Sequence, residues 1–492
     1  MTQNVTKYII AGMPENAADY GVYPRSVHYA GEAAVFMAKG TVQDMIIAEA
    51  GLDFVGETFY AGEKTWLCCP MNHENAALLR RLFPFTAPSP VLHYPCSVGV
   101  GDRLGIASTG HIKTFEQYEA YPVLAQQSIR ELTLTGRTFE EAIDCATFAV
   151  FKENFTRPFG ADGDHLKTFE EIQWALDSGC TMITLDCSEH IRNDVAEMSL
   201  AEVEAAYVPD ETLEARYCGK DFNMGGITVH FDHEMLMRCA LVYGKAVEFS
   251  NQVYHRYFAG REDAAELEIS IDETLTPTKP EEHFFVANEL ALRGVKPVSL
   301  APRFCGEFQK GVDYRGDLAQ FEKELTVHQA VAEQFGYKLS IHSGSDKFSV
   351  FPFIAQYCGG RFHLKTAGTN WLEAMALVAQ EDPALYREIH EYALTTAFAE
   401  AKKYYHVSTD LTKIPALDTL ADDELITLFD LDDARQLIHI TYGLILSEKN
   451  ADGTRRFKKR LYAFWYDHQE KYEQRLINHI GRHLSTLGVS SM

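Results

Sequence analysis

The chain has 492 residues, 46% apolar and 23% charged, the balance of a globular protein with room for a large core. Its formal net charge of −25 excludes a nucleic-acid surface, because phosphate binding needs a basic face. The same charge requires a local basic pocket for any anionic substrate.

Residues 1–100 are mixed and rich in aromatic residues and proline, and read as an elaboration packed on the later part of the chain. Met1 to Met13 has no basic start followed by an apolar run, so no secretory leader is expected. Vicinal Cys68-Cys69 cannot close an unstrained disulfide, and the ten cysteines include no Cys-x-x-Cys pair, so a reduced, cytoplasmic protein is expected. No apolar run approaches the roughly 20 residues of a membrane span.

Residues 101–375 alternate short β-rich runs with amphipathic helical stretches. The expected strands are Leu104–Ser108, Ala161–Lys167, Met182–Asp186, Leu267–Asp272, Pro297–Ala301, Lys338–His342 and Arg361–Lys365. Helices are expected at Glu170–Asp177, Pro280–Leu292, Leu318–Glu333 and Phe351–Tyr357. This order predicts a parallel sheet closed into a (β/α)8 TIM barrel, its eighth strand either before Asp102 or in an unassigned stretch. Parity supports closure. In Leu267-Glu268-Ile269-Ser270-Ile271-Asp272 the aliphatics share one face, expected outside under the helices, and the polar residues share the lumen face. Residues 376–492 read as a helical C-terminal extension. Phe457, Leu461, Trp465, Tyr472, Leu476, Ile480 and Leu484 fall near helical spacing, a stripe for packing or for a homo-oligomer surface.

The chemistry collects at strand ends. Asp164-His165 puts a carboxylate beside a metal-ligating imidazole where a strand gives way to a helix, and Asp186, Glu268, Gln309 and His342 occur on later units. His165 and His342 are the expected ligands of one divalent ion, since neutral imidazole suits Zn, Mn, Co or Ni. Asp164 can take a proton from a substrate hydroxyl, although Asp162 and Asp164 can also cap the next helix. Glu268 is expected to be buried, with a raised pKa suited to proton donation, unless it pairs with Arg303 or Lys365. Lys167, Arg303, Lys347 and Lys365 are the basic candidates for a substrate carboxylate. Ser343, Ser345 and Asp346 form a polar loop fitted to sugar hydroxyls. His230 and His233 lack the His-Glu-x-x-His order and read as a polar helix start. Gly99-x-Gly101-x-x-x-Gly105 misses the dinucleotide spacing, so no nucleotide cofactor is expected. His-Leu-Lys-Thr occurs at 165–168 and at 363–366, at two expected strand ends, which suggests similar jobs.

These motifs carry two resemblances. Asp164-His165, Met182–Glu189, Glu266-Leu267-Glu268 and Ile341–Ser345 resemble motifs of the class II fructose-bisphosphate aldolase type of metal barrel over roughly residues 100–375. In that pattern Gln309 stands where a histidine ligand is usual. Over nearly the whole chain, Ala161–Thr168 and Gly306–Gly311 resemble signatures of the tagaturonate/fructuronate epimerase family. That resemblance implies a metal-dependent enzyme inverting one hydroxyl-bearing carbon of a keto-hexuronate, a small anionic sugar acid. It implies Asp164 and Glu268 as the proton-transfer pair and His165, Gln309 and His342 as metal ligands, with Glu307 the nearest substitute for Gln309. A sugar aldolase and a non-catalytic sugar-acid-binding subunit are the alternatives.

Overall fold

The computed structural model describes residues 2–405 and 407–492; Met1, first of the residues read for a leader, lies outside them. Eight parallel strands close a barrel: β1 (Cys96–Gly99), β2 (Tyr121–Gln127), β3 (Gly160–Leu166), β4 (Met182–Asp186), β5 (Glu266–Ser270), β6 (Ser299–Ala301), β7 (Lys338–Ile341) and β8 (Phe362–Lys365). Closure comes from β8 pairing with β1, Phe362 opposite Cys96 and Lys365 opposite Gly99. Between successive strands lie α1 (Ser108–Phe115), α2 (Phe139–Glu153), α3 (Phe169–Asp177), α4 (His233–Tyr257), α5 (Pro280–Leu292), α6 (Leu318–Phe335) and α7 (Phe351–Tyr357). The TIM barrel is as expected. Leu267, Ile269, Ile271, Leu339, Ile341 and Leu364 join the apolar layer under these helices, and Glu268 and Ser270 turn inwards.

The first two strands differ from expectation. Leu104–Ser108 is not a strand: Asp102 accepts hydrogen bonds from the amides of Gly105, Ala107 and Ser108 at 2.7, 2.6 and 3.0 Å and folds the segment into the start of α1. The strands that complete the barrel are β1, before Asp102, and β2, whose Pro122 and paired glutamines hide the β pattern.

The N-terminal region forms a five-stranded antiparallel sheet, His28–Ala30, Ala33–Ala38, Met45–Glu49, Lys64–Cys69 and Glu57–Ala61 in spatial order. Val35, Met37, Ile46 and Ala48 pack against Phe148 and Phe151 of α2, and a buried Lys152–Asp44 pair at 2.9 Å fixes the seam. His230 lies in the hairpin strand Ile227–Phe231, not on a helix; only His233, behind the Asp232 cap, is the polar start of α4. The stripe from Phe457 to Leu484 is buried within the chain, along α8 (Lys458–Asp467) and α9 (Gln469–Thr486). At Gly110 a Cβ would lie 2.9 Å from the Leu476 side chain, so glycine lets α9 close on α1. No helix among the described residues is long and apolar enough to cross a membrane.

Candidate active site

The Asp-His pair owes its geometry to a break in strand pairing. Gly163 lies opposite Ile183 on β4, but the next pair is Leu166 with Leu185, so Asp164 and His165 form a bulge. His165 takes φ of 55°, a left-handed conformation that costs a β-substituted residue on the order of 1 kcal/mol and re-aims its ring. Consecutive residues, which would otherwise point to opposite faces, thereby both reach the lumen. The cap of α3 is supplied by Thr168, whose hydroxyl accepts from the Glu171 amide at 3.2 Å, leaving Asp162 and Asp164 to the barrel interior.

His165 meets His342, the residue just after β7, with ring centroids 5.0 Å apart. Asp272, two residues beyond β5, joins them, and each residue offers one ligand atom within 4.8 Å of the others. Their buried Nδ1 atoms face carboxylates, His342 at 3.2 Å from Asp272 and His165 at 3.4 Å from Asp186. Two imidazoles and a carboxylate whose ligand atoms converge in this way are a set that can hold a divalent cation. The field agrees: burial lowers the His342 imidazole, but Asp272 at 3.2 Å and Glu268 at 2.8 Å outweigh it and raise its pKa to about 10. Positive charge is stabilised here.

Below this group Lys365 is buried among Asp164, Glu268 and Asp162 at 2.6, 3.1 and 3.2 Å. Burial raises the Asp164 carboxyl, yet Lys365, His165 and His342 together hold it well below the usual range. Glu268 behaves alike. The expected rise in its pKa does not occur, because Lys365 and His342 outweigh burial. It also accepts from Thr184 and Ser299, so its oxygens are occupied. The carboxyl pushed up, to about 7, is that of Asp162, where burial and its acidic neighbours exceed the pull of Lys365.

Gln309 is placed otherwise than the aldolase pattern implies. It lies well beyond the end of β6, and its amide oxygen accepts from the Ser408 amide, the Ser408 hydroxyl and Gln436 at 3.1, 2.9 and 2.9 Å. Its amide nitrogen donates to Glu307. The residue ties the barrel rim to the C-terminal extension.

Of the basic candidates, Lys347 spends its ammonium on the carbonyls of Gln309, Val312 and Ser345. Lys167 donates to Ser188 at 2.9 Å and pairs with Asp186 at 3.6 Å. Arg303 lines the cavity, and its guanidinium pairs with no carboxylate among the described residues. Asp346 faces away, to Arg435 at 2.7 Å and to His479 and His483 of α9, whereas Ser343 and Ser345 line the cavity. The repeated His-Leu-Lys-Thr serves two heights of the barrel. His165 is at the rim, while His363 is buried inside β8 and bonds Ser97 at 2.8 Å.

These groups floor a cavity of about 890 Å³ whose walls include Lys310, Tyr404, Tyr405 and His439. The sequence offers Asp162 only as a helix-cap candidate and Asp272 only as a lumen-facing residue, and does not single out Lys310. The alternation in β5 carries a signal for Asp272, which continues the inward face of Glu268 and Ser270. Asp162 had the same signal from Asp164, two residues on.

The model of the tagaturonate epimerase family, UxaE, matches residues 23–487. A tagaturonate/fructuronate epimerase from Thermotoga maritima is 38% identical over 475 residues, covering 95% of this chain and 97% of that protein. The glycerol-complexed crystal structure of fructuronate-tagaturonate epimerase UxaE from Cohnella laeviribosi superposes with a TM-score of 0.94 at 48% identity, over 99% of both chains. Its native form gives a TM-score of 0.92 at 49% identity, over 95% of this chain and 96% of that one. The YdjI aldolase from Escherichia coli K12 has a TM-score of 0.34 at 12% identity, over 74% of this chain and 94% of that one. A match along almost the whole chain, with the barrel intact around the Asp164-His165 bulge, makes this protein a member of the tagaturonate epimerase family.

Proposed function

We propose that the chain is a divalent-metal-dependent epimerase that interconverts tagaturonate and fructuronate in the cytoplasm. The observation that carries the reading is the convergence of His165, Asp272 and His342 at the floor of the cavity, beside an Asp164 held ionised by Lys365. The names of the relatives supply the substrate pair.

The carbon to be inverted lies β to the ketone, so its C–H is not acidified by that carbonyl. Retro-aldol chemistry avoids the difficulty. When bound between His165, Asp272 and His342, the cation supplies a Lewis acid for substrate oxygens. Asp164 accepts the β-hydroxyl proton as the C–C bond breaks, and its electron pair passes into the ketone half, giving an enediolate and a three-carbon aldehyde that bears the carboxylate. The aldehyde turns its other face, the bond re-forms, and Asp164 returns the proton to the new alkoxide. Glu268 orients the His342 ring and shares Lys365, a positioning role in place of proton donation. Lys167, Arg303, Ser343 and Ser345 are the proposed polar contacts for the substrate.

The test is incubation of the metal-loaded protein with fructuronate and NMR of the products. Appearance of the epimer, stopped by a chelator and restored by metal, is expected. Net accumulation of three-carbon fragments without epimer would make the protein an aldolase. Binding without turnover in metal-replete protein would make it a sugar-acid-binding subunit. Epimerisation unaffected by rigorous metal removal would end the metal assignment.

A further inference from the structure

The cavity has an acidic side and a basic side. On the acidic side Asp162, Asp164 and Glu268 surround Lys365, and Asp186 takes Lys167. On the other, Arg103 is matched by Glu131. Among the described residues Lys310 has no carboxylate partner, and its ammonium donates to the Ser343 hydroxyl alone, at 3.2 Å. A partly buried cation without a counterion is unfavourable unless a ligand supplies the charge, and this protein has 70 acidic residues from which a partner was available. His439, whose ring also borders the cavity, is kept neutral by burial and by Arg103, Lys310 and Arg435, so the potential at this end is positive.

Lys310 is also held in place. Its carbonyl accepts from Gln436 at 3.3 Å, and the preceding Gln309 is pinned by Ser408 and Gln436. Ser343, which anchors the ammonium, is next to His342 in the chain and has φ of 49°. The charge is therefore stationed beside the end of β7, where the candidate cation site begins. Among the described residues one of its three N–H donors is used.

We infer that Lys310 is the specificity-determining anchor of the substrate carboxylate, holding the three-carbon aldehyde fragment by that end while its carbonyl turns. This rests on the epimerase reading. An ammonium suits the task better than Arg303 or Arg130, the other cavity cations without an ion pair among the described residues, the second of which lies over the Tyr405 ring. A guanidinium fixes a carboxylate in one plane by two parallel hydrogen bonds, whereas a point charge with rotatable donors lets it pivot.

The experiment compares binding of fructuronate and of its neutral carboxamide to the metal-loaded protein by calorimetry. Native protein should prefer the acid by about tenfold or more, the worth of a hydrogen bond between charged groups. Lys310→Met should bring the ratio near one and Lys310→Arg should keep the preference, whereas Arg303→Met, which removes a contact to other substrate oxygens, should weaken acid and carboxamide alike and so keep their ratio. If Lys310→Met does not fold, Lys310→Gln carries the comparison. An acid preference that is absent in native protein, survives loss of the Lys310 charge, or collapses in Arg303→Met overturns the inference. Because the readout is binding, it stays separate from the epimerase reading. Native protein that binds the acid through Lys310 yet forms no epimer would sink that reading and leave the anchor standing.

Discussion

His342 Nε2 lies 2.8 Å from Glu268 Oε1, and the carboxylate is fully buried, so the orientation of the ring is set from beneath the site. The opposite nitrogen faces Asp272 and the cavity. Carboxylates behind a ligating histidine fix its tautomer and raise its basicity, and their loss typically weakens metal binding or activity about 10–100-fold. Glu268→Gln should therefore lower metal affinity and turnover together within that range while the protein stays folded. Metal titration and kinetics check this. Full metal affinity with lost turnover would return Glu268 to the proton-transfer role.

His165→Ala, Asp272→Ala and His342→Ala should each strip the metal and abolish activity while leaving a folded barrel, since the ligands lie at the rim and the core lies between strands and helices. Gln309→Leu should do the reverse. It keeps the metal but leaves the Ser408 amide without its acceptor and takes one of two acceptors from Gln436, at a cost of about 1–3 kcal/mol. Metal content and urea unfolding distinguish the two patterns. Metal lost from Gln309→Leu and retained by Asp272→Ala would restore the glutamine as ligand.

A second buried histidine pair, outside the site, makes stability depend on pH. His283 of α5 and His328 of α6 meet at 2.9 Å through their Nδ1 atoms, and Tyr337 bonds the far side of His283 at 2.6 Å. Burial pushes His328 down to about 4, against about 6.5 in the unfolded chain. The unfolded state thus takes up the proton first on acidification, so the stability is fully present above pH 6.5 and is lost as pH falls towards 4. Between pH 7 and pH 4.5 native protein should lose about 2 kcal/mol more than His328→Gln. Parallel urea-unfolding curves for the two proteins across that range would refute the assignment.

How much of this was legible depends on how far each feature reaches along the chain. β3 to β8 were readable because alternation is local, as in Leu267 to Asp272. β2 was not, because Pro122 breaks the pattern and only pairing with β1 and β3 makes the segment a strand. Asp164 and His165 were found as a motif, but the bulge that turns both inward depends on register with β4. Glu268 was placed in the lumen correctly, whereas the direction of its pKa shift is decided by Lys365, three strands away in the barrel. The hold on Gln309 comes from Ser408 and Gln436 in the C-terminal extension, so no local reading of Gly306–Gly311 reveals it.

The route of inversion is tested by the fate of one hydrogen. Asp164 is kept ionised by Lys365 at 2.6 Å and stands next to His165, so it is poised to accept a proton from a hydroxyl. Asp164→Asn preserves shape and should retain the metal, yet turnover should fall on the order of a hundredfold or more, the usual worth of a positioned base. Direct exchange at carbon needs two groups, one on each face, and the second candidate, Glu268, has its oxygens taken by Thr184, Ser299, His342 and Lys365. Retro-aldol cleavage needs only the one base, which gives back to oxygen the proton it removed. In heavy water the inverted carbon should therefore keep its original hydrogen through many turnovers, as monitored by proton NMR at that position. Solvent deuterium appearing there at the rate of epimerisation would exclude the retro-aldol route and require a second acid/base group reaching the carbon itself.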